Sequence, residues 1–181
     1  MLTTILLIGP PACGKTTTLR KIKEKLSKDW KQFKENSCVY GEKTIYRGSI
    51  IYTYGAFDYE KPYPGTDRLP LNSCPRLIEH AKKLSGDRFR NVIITEGDRV
   101  TNRRYIIATT PILFNFSLSD AELELRFRKR GILMDAKMRK SRNTKATRIS
   151  QLFPVIEIPQ TYGPEKASSL VLNVLFSQIN N

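Results

Sequence analysis

The 181-residue sequence has no apolar run approaching the roughly 20 residues that cross a bilayer, which excludes a membrane-spanning segment. Its apolar start, Met1 to Ile8, has no basic region before it. It runs into Gly9-Pro10-Pro11 instead of a small-residue cleavage site, so a secretory signal is not expected. Cysteine is scarce: Cys13, Cys38 and Cys74 are odd in number and unrelated in spacing. That excludes a disulfide framework or a zinc site and points to a reducing cytoplasm. The single histidine, His80, lies in a helical stretch and reads as structural or exposed, not catalytic. Internal repeats and low-complexity linkers are absent. With 40% hydrophobic and 27% charged residues the chain is not a disordered tail, and its length fits one domain over residues 1–181.

Acidic residues are also few, 17 against 31 Lys and Arg, for a formal charge of +14. The excess is concentrated. Residues 126–148 hold ten basic side chains and one acidic, which accounts for +9 of the total. Such a block is either a solvated helical face or a site for a polyanion. Because the block is arginine-rich and nearly devoid of acidic partners, a phosphate-rich ligand is its natural counter-charge.

Hydrophobic patterning predicts alternating strands and helices. Thr3 to Ile8 is a continuous apolar run of the kind found in buried central strands. From Lys15 the apolar residues Leu19, Ile22, Leu26, Trp30 and Phe33 recur at helical spacing. Val39 to Tyr54 alternates, punctuated by Gly41 and Gly48, and predicts hairpin-like strands. Residues 55–72 form a long loop, a helix begins near Ser73, and Asn91 to Thr95 is a second buried strand. A short helix over 102–109, a strand over 111–118, a capping box at Ser119–Glu122, a strand at 155–158 and a closing amphipathic helix complete the walk. This order predicts an α/β fold: an open parallel sheet of about five strands flanked by helices, with a basic helical segment at about 120–150.

Gly9-Pro10-Pro11-Ala12-Cys13-Gly14-Lys15-Thr16 matches G-x-x-x-x-G-K-[ST] at every fixed position, and it lies between a strand and a helix, as the motif requires. The spacing has a physical basis. Backbone N–H groups turn inward around a triphosphate, and the helix N-terminus adds its partial positive charge. Lys15 then reaches the β- and γ-phosphates, and the Thr16 hydroxyl ligates Mg²⁺. Residues Gly9 through Thr16, together with Thr17, are therefore the expected ATP contacts. Cys13 reads as a variable loop position. A P-loop alone does not separate a kinase from a switch or a motor. The short chain and about five strands favour a small, nucleoside-kinase-like enzyme of the P-loop NTPase fold.

A P-loop enzyme also needs an acidic group near the metal or its waters. Glu96 and Asp98 follow the second buried strand and occupy that place, with no basis in the sequence for choosing between them. Arg99 would point at a phosphate. In the loop 63–69, Asp67 and Arg68 offer a proton acceptor for an attacking hydroxyl and a neighbouring cation. Gly-Thr-Asp is equally good turn chemistry, so the two readings stand side by side. The basic segment supplies Arg126, Arg128, Arg130, Arg139, Arg142, Lys145 and Arg148. One or two arginines, Arg126 and Arg130 foremost, are expected to close over ATP as a lid. The remainder suit a nucleic-acid backbone. Tyr52, Tyr54, Phe57, Tyr59 and Tyr63 are candidates to stack on a base, although tyrosines in strands more often pack.

Three stretches, Gly65-Thr66-Asp67-Arg68-Leu69, Glu96-Gly97-Asp98-Arg99 and Arg142-Asn143-Thr144-Lys145, resemble in sequence and order those of phage-encoded P-loop DNA kinases that act on 5-hydroxymethyluracil. The resemblance spans roughly residues 3–150. The chain departs from the family pattern at Pro70, where a serine often stands, and at Ser141, where a glycine does. The resemblance implies ATP-dependent phosphorylation of a hydroxymethyl group on a base within DNA, in the cytoplasm of a phage's host. It also implies a substrate-side role for Asp67 and a lid-side role for Arg142 and Lys145. Other readings are a kinase of free nucleotides or of polynucleotide 5′ ends, and a non-catalytic module switched by ATP. Free nucleotides do not need the +9 segment, and a switch would make Asp67 dispensable.

Overall fold

A computed structural model describes residues 1–56, 65–129 and 145–179. In chain order the elements are β1 (Leu2–Ile8), α1 (Lys15–Leu26), β2 (Lys31–Asn36), β3 (Val39–Tyr46) and β4 (Ser49–Tyr54). A short 3-10 turn (Thr66–Arg68), α2 (Ser73–Ser85), β5 (Arg90–Glu96), α3 (Arg103–Thr109), β6 (Ile112–Phe116) and α4 (Asp120–Lys129) follow. Residues 145–152 are helical (α5), and β7 (Ile156–Ile158) and α6 (Pro164–Ile179) close the described chain. Among the described residues no helix is long and apolar enough to cross a membrane.

The apolar runs lie centrally because they are covered on both faces. In β1, Ile5 and Leu7 pack with Leu19, Ile22 and Val171 on one side, while Leu6 and Ile8 pack with Leu77, Ala81 and Tyr105 on the other. Successive side chains of a strand point to opposite faces, so each core claims every second residue of one run. The sheet has seven strands in the order β2-β3-β4-β5-β1-β6-β7. Strands β4, β5, β1, β6 and β7 run parallel, a number that agrees with the expected parallel sheet of about five. The other two, β2 and β3, extend one edge as an antiparallel meander.

The extra strand corrects the helical reading of Trp30 and Phe33. Helix α1 stops at Leu26: Ser27 is extended, and the Trp30 indole N–H donates to the carbonyls of Lys23 and Ser27 at the helix end. Phe33 lies in β2, edge-on to Tyr52 at 5.3 Å. Both rings are half-buried after the helix ends, Trp30 against the core on the α1 side of the sheet and Phe33 against the core on the α2 side. Of the two glycines that punctuate the meander, Gly48 makes the turn, with Arg47, at φ 77° and 48°. Gly41 instead admits a neighbour, since a Cβ there would stand 1.9 Å from the Thr53 carbonyl oxygen.

Strand order, not strand direction, switches sides at β1, which has parallel neighbours β5 on one side and β6 on the other. The crevice at the carboxyl ends of these strands is where open α/β sheets bind ligands.

Candidate active site

The loop leaving β1 is shaped by its backbone. Gly9 and Gly14 have φ of 141° and 105°, and Ala12 is left-handed at 64°. A Cβ at Gly9 would lie 2.5 Å from the Phe116 carbonyl oxygen and 2.9 Å from Cys13 Sγ. Gly14 caps α1 without a side-chain acceptor, and no acidic residue lies in the helix's first turn. The leading N–H groups of α1 thus face the loop with their positive end, an arrangement suited to an anion. Lys15 Nζ donates to the carbonyls of Gly9 (2.9 Å) and Pro10 (2.7 Å) and lies 3.4 Å from Cys13 Sγ. Cys13 is buried against that ammonium.

The end of β5 lies beside this loop. Glu96 is 4% exposed, and its Oε1 accepts a hydrogen bond from Thr16 Oγ1 at 3.2 Å. Burial raises its carboxyl to about 7, with the charges of Lys15 and Asp67 acting in opposite directions. Of the two carboxylates left open by the sequence, Glu96 is the one next to Thr16. Asp98 faces Lys145, whose Nζ lies 3.0 Å from its carbonyl oxygen and 3.4 Å from Oδ1. The Thr16 hydroxyl and Glu96 carboxylate are hard oxygen donors beside a phosphate-shaped loop, a set that fits Mg²⁺. No cluster of three acidic, His or Cys ligands occurs among the described residues. Magnesium commonly takes one or two carboxylates and completes its shell with phosphates and water.

The 3-10 turn stands on the far side of Glu96. Thr66 Oγ1 donates to the Glu96 carbonyl at 2.6 Å, and the Asp98 N–H donates to Asp67 Oδ1 at 2.9 Å. Gly97, at φ 103°, makes this approach possible, since a Cβ there would stand 2.3 Å from Thr66 Oγ1. Arg99 braces the turn through its Nε, which donates to the Leu69 carbonyl at 3.1 Å. This bond gives Arg99 Nε a structural partner. Tyr40 OH donates to the Arg68 carbonyl at 2.9 Å, and Arg68 Nε is buried without a protein partner.

From α4, Arg126 reaches the P-loop, with Nη1 3.4 Å from the Ala12 carbonyl and Nε 2.7 Å from Glu122. Arg128 pairs with Glu124 at 2.8 Å. The basic segment therefore has acidic partners one helical turn upstream, where a count beginning at residue 126 does not see them. The capping box is half formed: Ser119 Oγ accepts from the Glu122 N–H, but the Glu122 carboxylate takes Arg126 instead of returning to the cap. Arg130, Arg139 and Arg142 lie outside the described residues, as do Phe57, Tyr59 and Tyr63.

Tyr52 and Tyr54 are buried packing residues and not base platforms. Tyr54 OH bonds His80 Nδ1 at 2.8 Å, and burial holds that imidazole below its usual range, so His80 is structural. Thr66 and Gly97 lie within the sequence motifs, but their residue types alone assign them no role. The usable signal was a glycine separating two carboxylates directly after a strand.

No family model and no curated protein matches the chain. Among solved structures, the chain is similar to an unliganded sugar kinase from Janibacter sp., with a TM-score of 0.57, 16% identity and coverage of 97% of this chain and 95% of that one. A deoxyadenosine kinase from M. mycoides with dCMP and dCDP bound aligns over 97% and 99% of the two chains at 14% identity and a TM-score of 0.47. The chain shares the α/β fold of that sugar kinase, with a mostly parallel sheet wider than five strands.

Proposed function

We propose that the chain is an ATP- and Mg²⁺-dependent kinase whose acceptor is the hydroxymethyl group of a modified pyrimidine, 5-hydroxymethyluracil, in DNA. The observation that carries the phosphotransferase reading is the convergence of Lys15, Thr16, Glu96 and Asp67 at the carboxyl ends of β1 and β5. Lys15 and the backbone N–H groups from Ala12 to Thr17 hold the triphosphate, and Arg126 adds a cation at the same loop. Thr16 and Glu96 would hold Mg²⁺, which neutralises charge on the β- and γ-phosphate oxygens. Asp67 takes the proton of the acceptor hydroxyl. The bond from the γ-phosphorus to the new oxygen forms as the bond to the β-phosphate oxygen breaks, leaving ADP. Arg68 sits beside the acceptor, and Arg130 and Arg142 are the proposed lid cations.

The DNA acceptor is supported by the ordered resemblance of three motifs and by the +9 charge of residues 126–148. A target base inside a duplex must be extruded before its substituent can meet the γ-phosphate. The test is transfer of labelled phosphate from ATP to DNA containing 5-hydroxymethyluracil, with unmodified DNA, 5′-hydroxyl ends and free nucleotides as parallel acceptors. Label confined to the modified DNA is the expected result. Label on free nucleotides or 5′ ends reassigns the acceptor, and ATP binding without transfer to any of them leaves a switch module.

A further inference from the structure

We infer that Thr66 is a positioning residue for Asp67, so that one hydroxyl sets the acceptor-side carboxylate relative to the donor-side one. The inference rests on the proposed role of Asp67 as proton acceptor. Thr66 is fully buried, at 0% exposure, and its Oγ1 lies 2.6 Å from the carbonyl oxygen of Glu96. A carbonyl only accepts, so the threonine donates, and the bond has a single sense. Glu96 is the residue whose carboxylate meets Thr16. The same residue thus faces the metal-binding hydroxyl with its side chain and the acceptor turn with its backbone.

The geometry around this bond leaves little freedom. Gly97 follows with φ 103°, and its missing Cβ would stand 2.3 Å from Thr66 Oγ1 and 3.2 Å from Asp67 Oδ1. One residue further, the Asp98 N–H donates to Asp67 Oδ1 at 2.9 Å. Within the turn, the Leu69 N–H returns to the Thr66 carbonyl at 2.9 Å. The Asp67 carboxylate is therefore held through one oxygen by the backbone after β5, while the Thr66 hydroxyl pins the turn to the last residue of that strand. Without that hydroxyl the turn can shift along β5. Misplacement of a reacting group by about 1 Å costs about a hundredfold in rate.

The experiment compares Thr66→Val, which keeps the shape, with Thr66→Ser, which keeps the donor. Each is assayed for kcat and KM with the acceptor DNA and for ATP affinity. Thr66→Val is expected to lower kcat about ten- to a hundredfold with ATP affinity unchanged, and Thr66→Ser to recover most of the rate. In an Asp67→Asn background the valine should add less than about a twofold further loss, because the group it positions is already gone. A wild-type kcat for Thr66→Val, or losses that multiply in the double variant, overturns the positioning role. Should the valine variant not fold, Thr66→Cys, with similar volume and a weaker donor, carries the same comparison with the same two outcomes. A wild-type protein that transfers no phosphate, or a fully active Asp67→Asn, overturns the kinase or base reading itself. An impaired Asp67→Asn beside an unimpaired Thr66→Val overturns this inference alone.

Discussion

The two halves of the candidate site are built in opposite ways. The loop at the centre of the donor half is local: Lys15 bonds carbonyls five and six positions earlier in the chain, and its outer contacts, Thr16 with Glu96 and Arg126 with Ala12, are the ones that reach across the fold. The acceptor half is assembled from a distance. Thr66, Asp67, Leu69 and Arg68 are held by Glu96, Asp98, Arg99 and Tyr40, 28 to 31 positions away. A local device has a spacing that can be read along the chain, whereas one that joins two segments is visible only once strands β4 and β5 have brought those segments together. On the proposed reading the donor half is also generic to a triphosphate, and the acceptor half is where substrate choice resides.

This contrast can be broken by experiment. The largest effect is expected from Lys15→Ala, which should take phosphoryl transfer to background, a loss of at least about a thousandfold, and weaken ATP binding. Asp67→Asn should leave ATP affinity intact while lowering kcat by about a hundredfold or more, so titration and turnover separate the halves. Equal loss of nucleotide affinity in both variants would erase the distinction.

Glu96 joins the halves, and its titration reports on the junction. Its carboxyl is raised to about 7 in the folded protein, so the folded state holds a proton that the unfolded chain releases near its ordinary value of 4.5. The contribution to stability is therefore complete below about 4.5 and is lost as pH rises through about 7. Glu96→Gln should accordingly stabilise the ligand-free protein at pH 8 by on the order of 3 kcal/mol and make no difference at pH 4. Thermal denaturation of both proteins across that range measures it. A pH-independent difference would show that Glu96 is not desolvated.

The finest comparison uses two glycines with almost the same backbone angle. Gly14 in the donor half has φ 105°, and a Cβ there would find only Arg126 Nη1, at 3.9 Å. Gly97 has φ 103° and would meet Thr66 Oγ1 at 2.3 Å. Gly14→Ala should cost about 1–2 kcal/mol from the left-handed angle alone. Gly97→Ala should cost about 1–3 kcal/mol more, from forced displacement of a packed side chain. Chemical denaturation of the two variants decides it, and equal costs would mean that the acceptor turn is free to move.

Much of the fold was legible because periodicity records burial. Thr3 to Ile8 and Asn91 to Thr95 read as central strands, and both lie side by side in the sheet. The same logic misled at Trp30 and Phe33, where apolar spacing continued past a helix that had already ended at Ser27. Counting charge by segment misjudged the arginines in a similar way, since Glu122 and Glu124 lie just outside the window yet one turn away in α4. Both errors come from treating neighbours in sequence as neighbours in space.

By itself the sequence determined the glycine-rich loop, the strands that carry it and the concentration of positive charge, because each depends on residues within one or two turns of one another. The tertiary structure decided which carboxylate stands beside Thr16, that Arg99 braces a turn through its Nε, and that Thr66 ties Asp67 to the end of β5. Those facts depend on the register between segments some thirty residues apart, which only the packed sheet sets.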